Sequence, residues 1–304
     1  MKFIRQDVVD PAALPAGQGQ FDIAFYGRED LDDRSKFSAP LSRSLARRSA
    51  LVQYDPLRFE LKVDGISFRG DDLQDVVRHF PATSIVIDAT TMEFPEIALI
   101  LRAYRRLSFQ PARCVFIYTE PAEYVRRPAG ESPAPGSAFD LSLGFRAKNA
   151  IPAFTPLLSG GNKAHLVAFL GFEGARLLRV LNDDDGHFYT DVTVVFGTPP
   201  YQATWDMDAL MANTRLIDQF SPSVRFSGAN NPRGAYLLLQ EVDRGLDGSP
   251  CNRLAVAPFG TKPTAIGAAL YCVEMDRMRV VYDHPERKAG RTRGVHRTHW
   301  FEVE

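Results

Sequence analysis

The chain has 304 residues, of which 45% are hydrophobic and 24% charged, with a formal net charge of −1. This is the composition of a globular protein of one large or two ordinary domains. A balance so close to zero supplies no global field for nucleic acid or a membrane surface, and no apolar run approaches the roughly 18–20 residues of a membrane-spanning helix.

The start, residues 1–20, lacks the apolar core of a secretory signal and reads as a loose leader rich in Ala, Gly and Pro. Phe21–Tyr26 is the first convincing strand, ending at Gly27-Arg28. The charged stretch that follows, through Arg48, reads as a long loop with at most a short helix. Leu51–Tyr54, Phe59–Val63 and Ile66–Phe68 form a small antiparallel insertion, with a hairpin turn at Asp64-Gly65. Asp71 is placed to cap a helix running to His79. Ser84–Ile87 is a buried strand ending at Asp88-Ala89-Thr90-Thr91, a strong helix follows over Phe94–Leu107, and Cys114–Tyr118 is the next buried strand, ending at Thr119-Glu120-Pro121. Strand, helix and strand in this order imply parallel pairing with right-handed crossovers.

Residues 121–160 are rich in Pro, Gly and Ser and read as linker and surface loops. The alternation then resumes. Leu166–Leu170 is a strand ending at Gly171-Phe172-Glu173-Gly174, and Ala175–Leu181 is helical. Asp183–Gly186 is an acidic turn. Val192–Phe196 is a strand ending at Gly197-Thr198. Met207–Phe220 is helical, Val224–Phe226 a short strand, and Ala235–Val242 a helix introduced by Asn231-Pro232. The last unit is a short apolar strand over Arg253–Ala257, a tight turn, an apolar helix through Met275 and a strand at Val280–Tyr282. The expected architecture is α/β: two Rossmann-like parallel-sheet units, residues 21–125 and 161–285, with the antiparallel insertion in the first. Residues 126–160 link them, and residues 286–304 form a basic tail that Trp300-Phe301 packs back onto the domain.

Open parallel sheets bind ligands at the carboxyl ends of their strands. The turn with the most to offer there is Phe259-Gly260-Thr261-Lys262-Pro263. Gly260 permits a sharp turn, Pro263 suits the first turn of a helix, and the amides of that helix start beside Lys262 make a seat for an anion. Arg28, Thr90 and Thr91 sit at other strand ends, and the tail arginines Arg287, Arg291 and Arg293 add positive charge.

Neither GxxxxGK[ST] nor a GxGxxG after a strand occurs, and there is no GxSxG elbow. The three cysteines, Cys114, Cys251 and Cys272, lack paired ligand spacing and read as reduced packing thiols. Asp88, Glu120 and Glu173 at strand ends offer an alternative, a metal-dependent nuclease or nucleotide hydrolase. His284, His296 and His299 read as ordinary surface or packing histidines, and no metal or other cofactor is implied. A structural subunit of a larger complex is the third reading.

At Leu254–Tyr282 the sequence resembles the CARF and SAVED domains, Rossmann-like sensors of cyclic oligonucleotides in bacterial immunity. In those domains a late strand enters a Gly-Thr-Lys turn, here Gly260, Thr261 and Lys262, followed by an apolar helix and another strand. This chain departs from that pattern with Phe259 where a second Gly is usual, and with Pro263 after the lysine. The resemblance implies a cytoplasmic, homodimeric sensor or adaptor of an antiviral defence system. It would bind an anionic nucleotide and work with a separate effector protein away from membranes.

Overall fold

The computed structural model describes residues 2–10, 21–106, 113–127, 138–145, 151–156, 163–183, 188–246 and 253–304. Cys251 and the acidic pair Asp184-Asp185 lie outside them. The chain divides into two compact units, one formed by Met1–Val125 with Arg287–Glu304 and the other by Arg126–Glu286. Each is an α/β unit.

The first unit is built on an eight-stranded sheet. Its strands are β1 (Phe3–Val9), β2 (Phe21–Tyr26), β3 (Ala46–Asp55), β4 (Glu60–Val63), β5 (Ile66–Arg69), β6 (Ser84–Asp88), β7 (Arg113–Tyr124) and β15 (Thr292–Val303), in the order β1-β15-β7-β6-β2-β3-β4-β5. The centre, β7-β6-β2-β3, is parallel, and its residues Val86, Ile87, Phe116 and Phe25 are fully buried. The expected insertion is present as the antiparallel run β3-β4-β5. Its turn has positive φ at both Asp64 (51°) and Gly65 (84°), the mirror-image turn that matches strand twist.

Several stretches differ from the expectation. The helix expected from Asp71 to His79 starts only at Asp75, after a 3-10 turn over Gly70–Gln74. The charged stretch after β2 contains a twelve-residue helix, α1 (Asp33–Ser44). Its few apolar residues and internal Pro40 hide it, yet Asp32 and Ser35 form a reciprocal capping box, and the buried face is made of Ser38, Ala39 and Ser42. Part of the leader is strand β1, and most of the basic tail is strand β15. These two pair antiparallel, and β15 also pairs antiparallel with β7. With β15 beside it, β7 does not end at Tyr118 but continues through Thr119-Glu120-Pro121 to Tyr124. Helices α2 (Asp75–His79) and α3 (Phe94–Arg106) complete this unit.

The second unit carries a five-stranded sheet of β9 (Ala164–Leu170), β10 (Tyr189–Gly197), β11 (Ser223–Ser227), β12 (Leu254–Pro258) and β13 (Arg279–Val280), all parallel and in the order β11-β10-β9-β12-β13. The connecting helices are α4 (Ala175–Asn182), α5 (Trp205–Phe220), α6 (Pro232–Gly245) and α7 (Lys262–Met275). Short strands β8 (Ser142–Phe145) and β14 (Pro285–Arg287) lie outside that sheet. Two helix starts are written in the local sequence. Asn231 accepts from the Gly234 amide with Pro232 in the first turn, and Thr261 caps α7 ahead of Pro263. Helix α7 is buried nearly all round, as its uniformly apolar sequence requires. It meets α6 closely: a Cβ on Gly267 would stand 2.2 Å from the Pro232 carbonyl oxygen. Cys114 and Cys272 are buried and unpaired, and burial pushes both thiols up. No helix among the described residues is long and apolar enough to cross a membrane.

Candidate functional site

In the second unit the successive strands grow outward from β9, first through β10 to β11 and then through β12 to β13. The reversal point, where such sheets hold ligands, therefore lies at the carboxyl ends of β9 and β12. Gly260, Thr261 and Lys262 are at the end of β12, as the sequence places them. Gly260 is required there by close approach: a Cβ would stand 2.9 Å from Thr264 Oγ1 and 3.1 Å from Phe169 Cβ. Thr261 is the N-cap of α7. Its Oγ1 accepts from the Thr264 amide and also donates to the Ala229 carbonyl. Tyr201 donates to the same carbonyl at 3.0 Å, so the loops after β10, β11 and β12 are tied together.

The anion seat is consequently narrower than the sequence suggests. Pro263 has no N–H, the Thr264 amide is used by the cap, and the Ala265 amide donates to the Thr261 carbonyl. Lys262 stays half-buried at the first helical position.

Beside this turn lies a group that sequence reasoning passed over. Arg176, in the first turn of α4, is buried with its guanidinium 4.3 Å from the Phe259 ring centroid and 5.6 Å from that of Tyr282. Its Nε donates to both carboxylate oxygens of Asp283, at 3.1 and 3.0 Å, and its Nη2 donates to Oδ1. Burial opposes the charge on Arg176, but the Asp283 carboxylate outweighs it and keeps the guanidinium protonated. The ends of β12 and β13 are thus covered by an internal ion pair.

The remaining candidates belong to the first unit. Arg28 is exposed and makes a two-pronged contact with Asp30, at 3.1 Å for each nitrogen. Thr91 Oγ1 accepts the Gly27 amide at 2.8 Å and donates to the Asp88 carbonyl. Thr90 Oγ1 accepts from the Thr119 amide at 2.9 Å and is 3.0 Å from Ser38 Oγ. Both threonines are buried, and both hydroxyls hold the ends of β2, β6 and β7 together. Arg287 Nε donates to Glu93 at 3.0 Å. Arg291 is buried 3.8 Å from Asp32. Arg293 is exposed, 3.9 Å from Glu123.

One face of this sheet gathers polar groups that are far apart in sequence. Tyr118, Glu120 and Tyr124 alternate along β7 and therefore point the same way. A bulge sets His296 and Arg297 of β15 opposite the single residue Glu120. Glu120 is buried and accepts from both histidines, His296 through Nδ1 at 2.9 Å and His299 through Nε2. His299 stacks on Tyr118 with ring centroids 6.2 Å apart. From α1, Arg34 reaches to 5.9 Å from the Tyr124 ring centroid. The only sequence signal for this cluster is the spacing of His296 and His299; nothing marks Glu120 as their partner.

The carboxylates named for a metal-dependent reaction are dispersed and largely engaged within the chain, although Asp88 Oδ2 has no hydrogen-bond partner among the described residues. Asp88 is fully buried, with Oδ1 accepting from Ser38 and the Thr90 amide. Burial raises its carboxyl. Glu120 is held by two imidazoles, and Glu173 lies in the other unit, 4.0 Å from Arg176. Among the described residues no group of three or more His, Cys, Asp and Glu is placed to hold a metal ion.

No protein-family model matches the chain, and no curated protein matches it.

Proposed function

We propose that this protein is a nucleotide-sensing or adaptor protein, of the kind the CARF and SAVED resemblance implies. It binds the phosphate of an anionic nucleotide, a cyclic oligonucleotide for example, at the Gly260-Thr261-Lys262 turn. The observation that carries this reading is the position of Lys262. It is the first residue of α7, directly after β12, at the reversal point of an all-parallel sheet. An ammonium there adds a full positive charge to the partial charge of the helix start. Binding would shift an equilibrium between two arrangements of the protein and so signal to a separate effector in a prokaryotic antiviral defence system. The expected working form is a cytoplasmic homodimer.

The test is the thermal stability of wild type and Lys262→Ala against cyclic di-, tri- and tetranucleotides, ATP and NAD. A ligand at about 100 times its Kd adds roughly 2.7 kcal/mol, several degrees of melting temperature for a domain of ordinary size. A shift with one cyclic nucleotide that disappears in Lys262→Ala supports the reading. An equal shift in both proteins removes Lys262 from the site, and no shift with any compound removes the ligand class.

A further inference from the structure

The start of α1 holds more buried positive charge than its own contacts satisfy. Asp32 is the only carboxylate among the described residues seen to contact Arg34 or Arg291. Its Oδ2 accepts from Arg34 Nη2 at 2.8 Å and Thr292 Oγ1 at 2.9 Å, and its Oδ1 accepts from the Ser35 amide at 3.0 Å. Arg291 comes to only 3.8 Å from Oδ2, outside hydrogen-bond range. The neighbouring acids are engaged elsewhere. Glu93 accepts from Arg287, Glu120 accepts from His296 and His299, and Asp33 accepts the Gly294 amide at 2.9 Å.

Arg34 is 4% exposed and Arg291 8%. The Nε–H of each has no hydrogen-bond partner among the described residues. Two buried guanidiniums therefore face one carboxylate, and one N–H on each is unsatisfied. A buried charge in this condition is destabilising unless an opposite charge meets it, and a buried orphan donor calls for an ion or an ordered water. Burial, with repulsion from Arg287 and Arg34, also depresses Arg291 to about 10. The local surplus is one positive charge, so a singly charged oxyanion balances it and a doubly charged one exceeds it. Guanidinium forks match both carboxylate and phosphate oxygens.

From this we infer that Arg34 and Arg291 form a second anion site, within the first unit, that takes a singly charged oxyanion, either a phosphodiester or a carboxylate. The site is independent of the Lys262 turn. Tyr124, against which Arg34 lies, gives it an aromatic wall.

The experiment compares melting temperatures in dimethyl phosphate, in acetate and in sodium chloride of equal ionic strength. It uses wild type, Lys262→Ala, Arg291→Gln and Arg291→Lys. The expected result is a rise of a few degrees over chloride in wild type and in Lys262→Ala, absent in Arg291→Gln and reduced in Arg291→Lys, which keeps the charge without the Nε–H. Whichever of the two anions raises the melt identifies the oxyanion. Three results overturn the inference: no rise over chloride in wild type, the same rise in Arg291→Gln, or loss of the rise in Lys262→Ala alone. The last would give the anion to the Lys262 turn. Arg291→Gln removes a poorly compensated charge and is expected to fold. If it does not, Arg291→Lys decides, and an undiminished rise there also overturns the site.

Discussion

Arg176 and Asp283 form a buried ion pair in which both carboxylate oxygens face the guanidinium, with side-chain exposures of 3% and 2%. They stand 107 positions apart in the chain. The pair joins the first turn of α4 to the segment just after β13, and Phe259 lies against it. Removing one partner leaves the other charge buried and alone, at a cost of about 3–5 kcal/mol. Asp283→Asn and Arg176→Met should each lower the unfolding free energy from urea titration by an amount in that range, and the double variant should recover part of the loss. Additive losses would show that the two side chains do not act as a pair.

Glu120 offers two oxygens to two imidazoles. Glu120→Gln replaces one acceptor by an NH2 group that faces a donor, and should cost about 1–3 kcal/mol. His299→Ala should cost more than His296→Ala, because His299 is buried whereas the His296 side chain is 43% exposed. Equilibrium unfolding of the three variants checks the order. A His296→Ala loss equal to that of His299→Ala would contradict it.

Asp88 should make stability depend on pH. Its folded carboxyl is raised by burial, against hydrogen bonds from Ser38, Thr91 and Thr90 that pull the other way. A group raised on folding favours the protonated native state. Its contribution is fully present below the unfolded value of about 3.9, and is lost as pH rises through the folded value. Asp88→Asn has no such titration. The stability of Asp88→Asn relative to wild type should therefore increase from pH 4 to pH 7 in urea titrations. A constant difference across that range would mean that Asp88 is ionised in the fold.

Gly27→Ala tests the close approach of the end of β2 to the backbone that follows β6. The new Cβ would stand 2.4 Å from the Thr91 carbonyl oxygen and 3.0 Å from the Met92 Cα, both backbone. The strand ends would have to separate, at about 1–3 kcal/mol. Gly65→Ala meets nothing within 4 Å and bears only its positive φ, a cost of about 1 kcal/mol. Melting temperatures should rank wild type, Gly65→Ala, Gly27→Ala from highest to lowest. Gly27→Ala melting with wild type would mean that Thr91 is not packed against this residue.

Sequence was sufficient wherever structure follows from near neighbours. The buried strands β6, β9 and β12 are short apolar runs. Asp64-Gly65 can make its turn because of its own φ preferences, and Asn231-Pro232 and Thr261-Lys262-Pro263 start helices with the residues that satisfy free amides. Parallel pairing followed from the strand–helix alternation. So did the position of Lys262 at a strand's carboxyl end.

Partner choice across the chain was settled only by the tertiary structure. The Thr90 and Thr91 hydroxyls look available in sequence because the backbone amides that donate to them, of Thr119 and Gly27, lie 29 and 64 positions away. The basic tail reads as surplus charge until β15 is placed beside β7. The tail then supplies His296 and His299 to Glu120, and Thr292 and the preceding Arg291 to the surroundings of Asp32. Charge and hydrogen-bonding capacity belong to single residues and are visible in a sequence. Whether a donor is satisfied or a charge is balanced depends on which distant groups the fold sets against it.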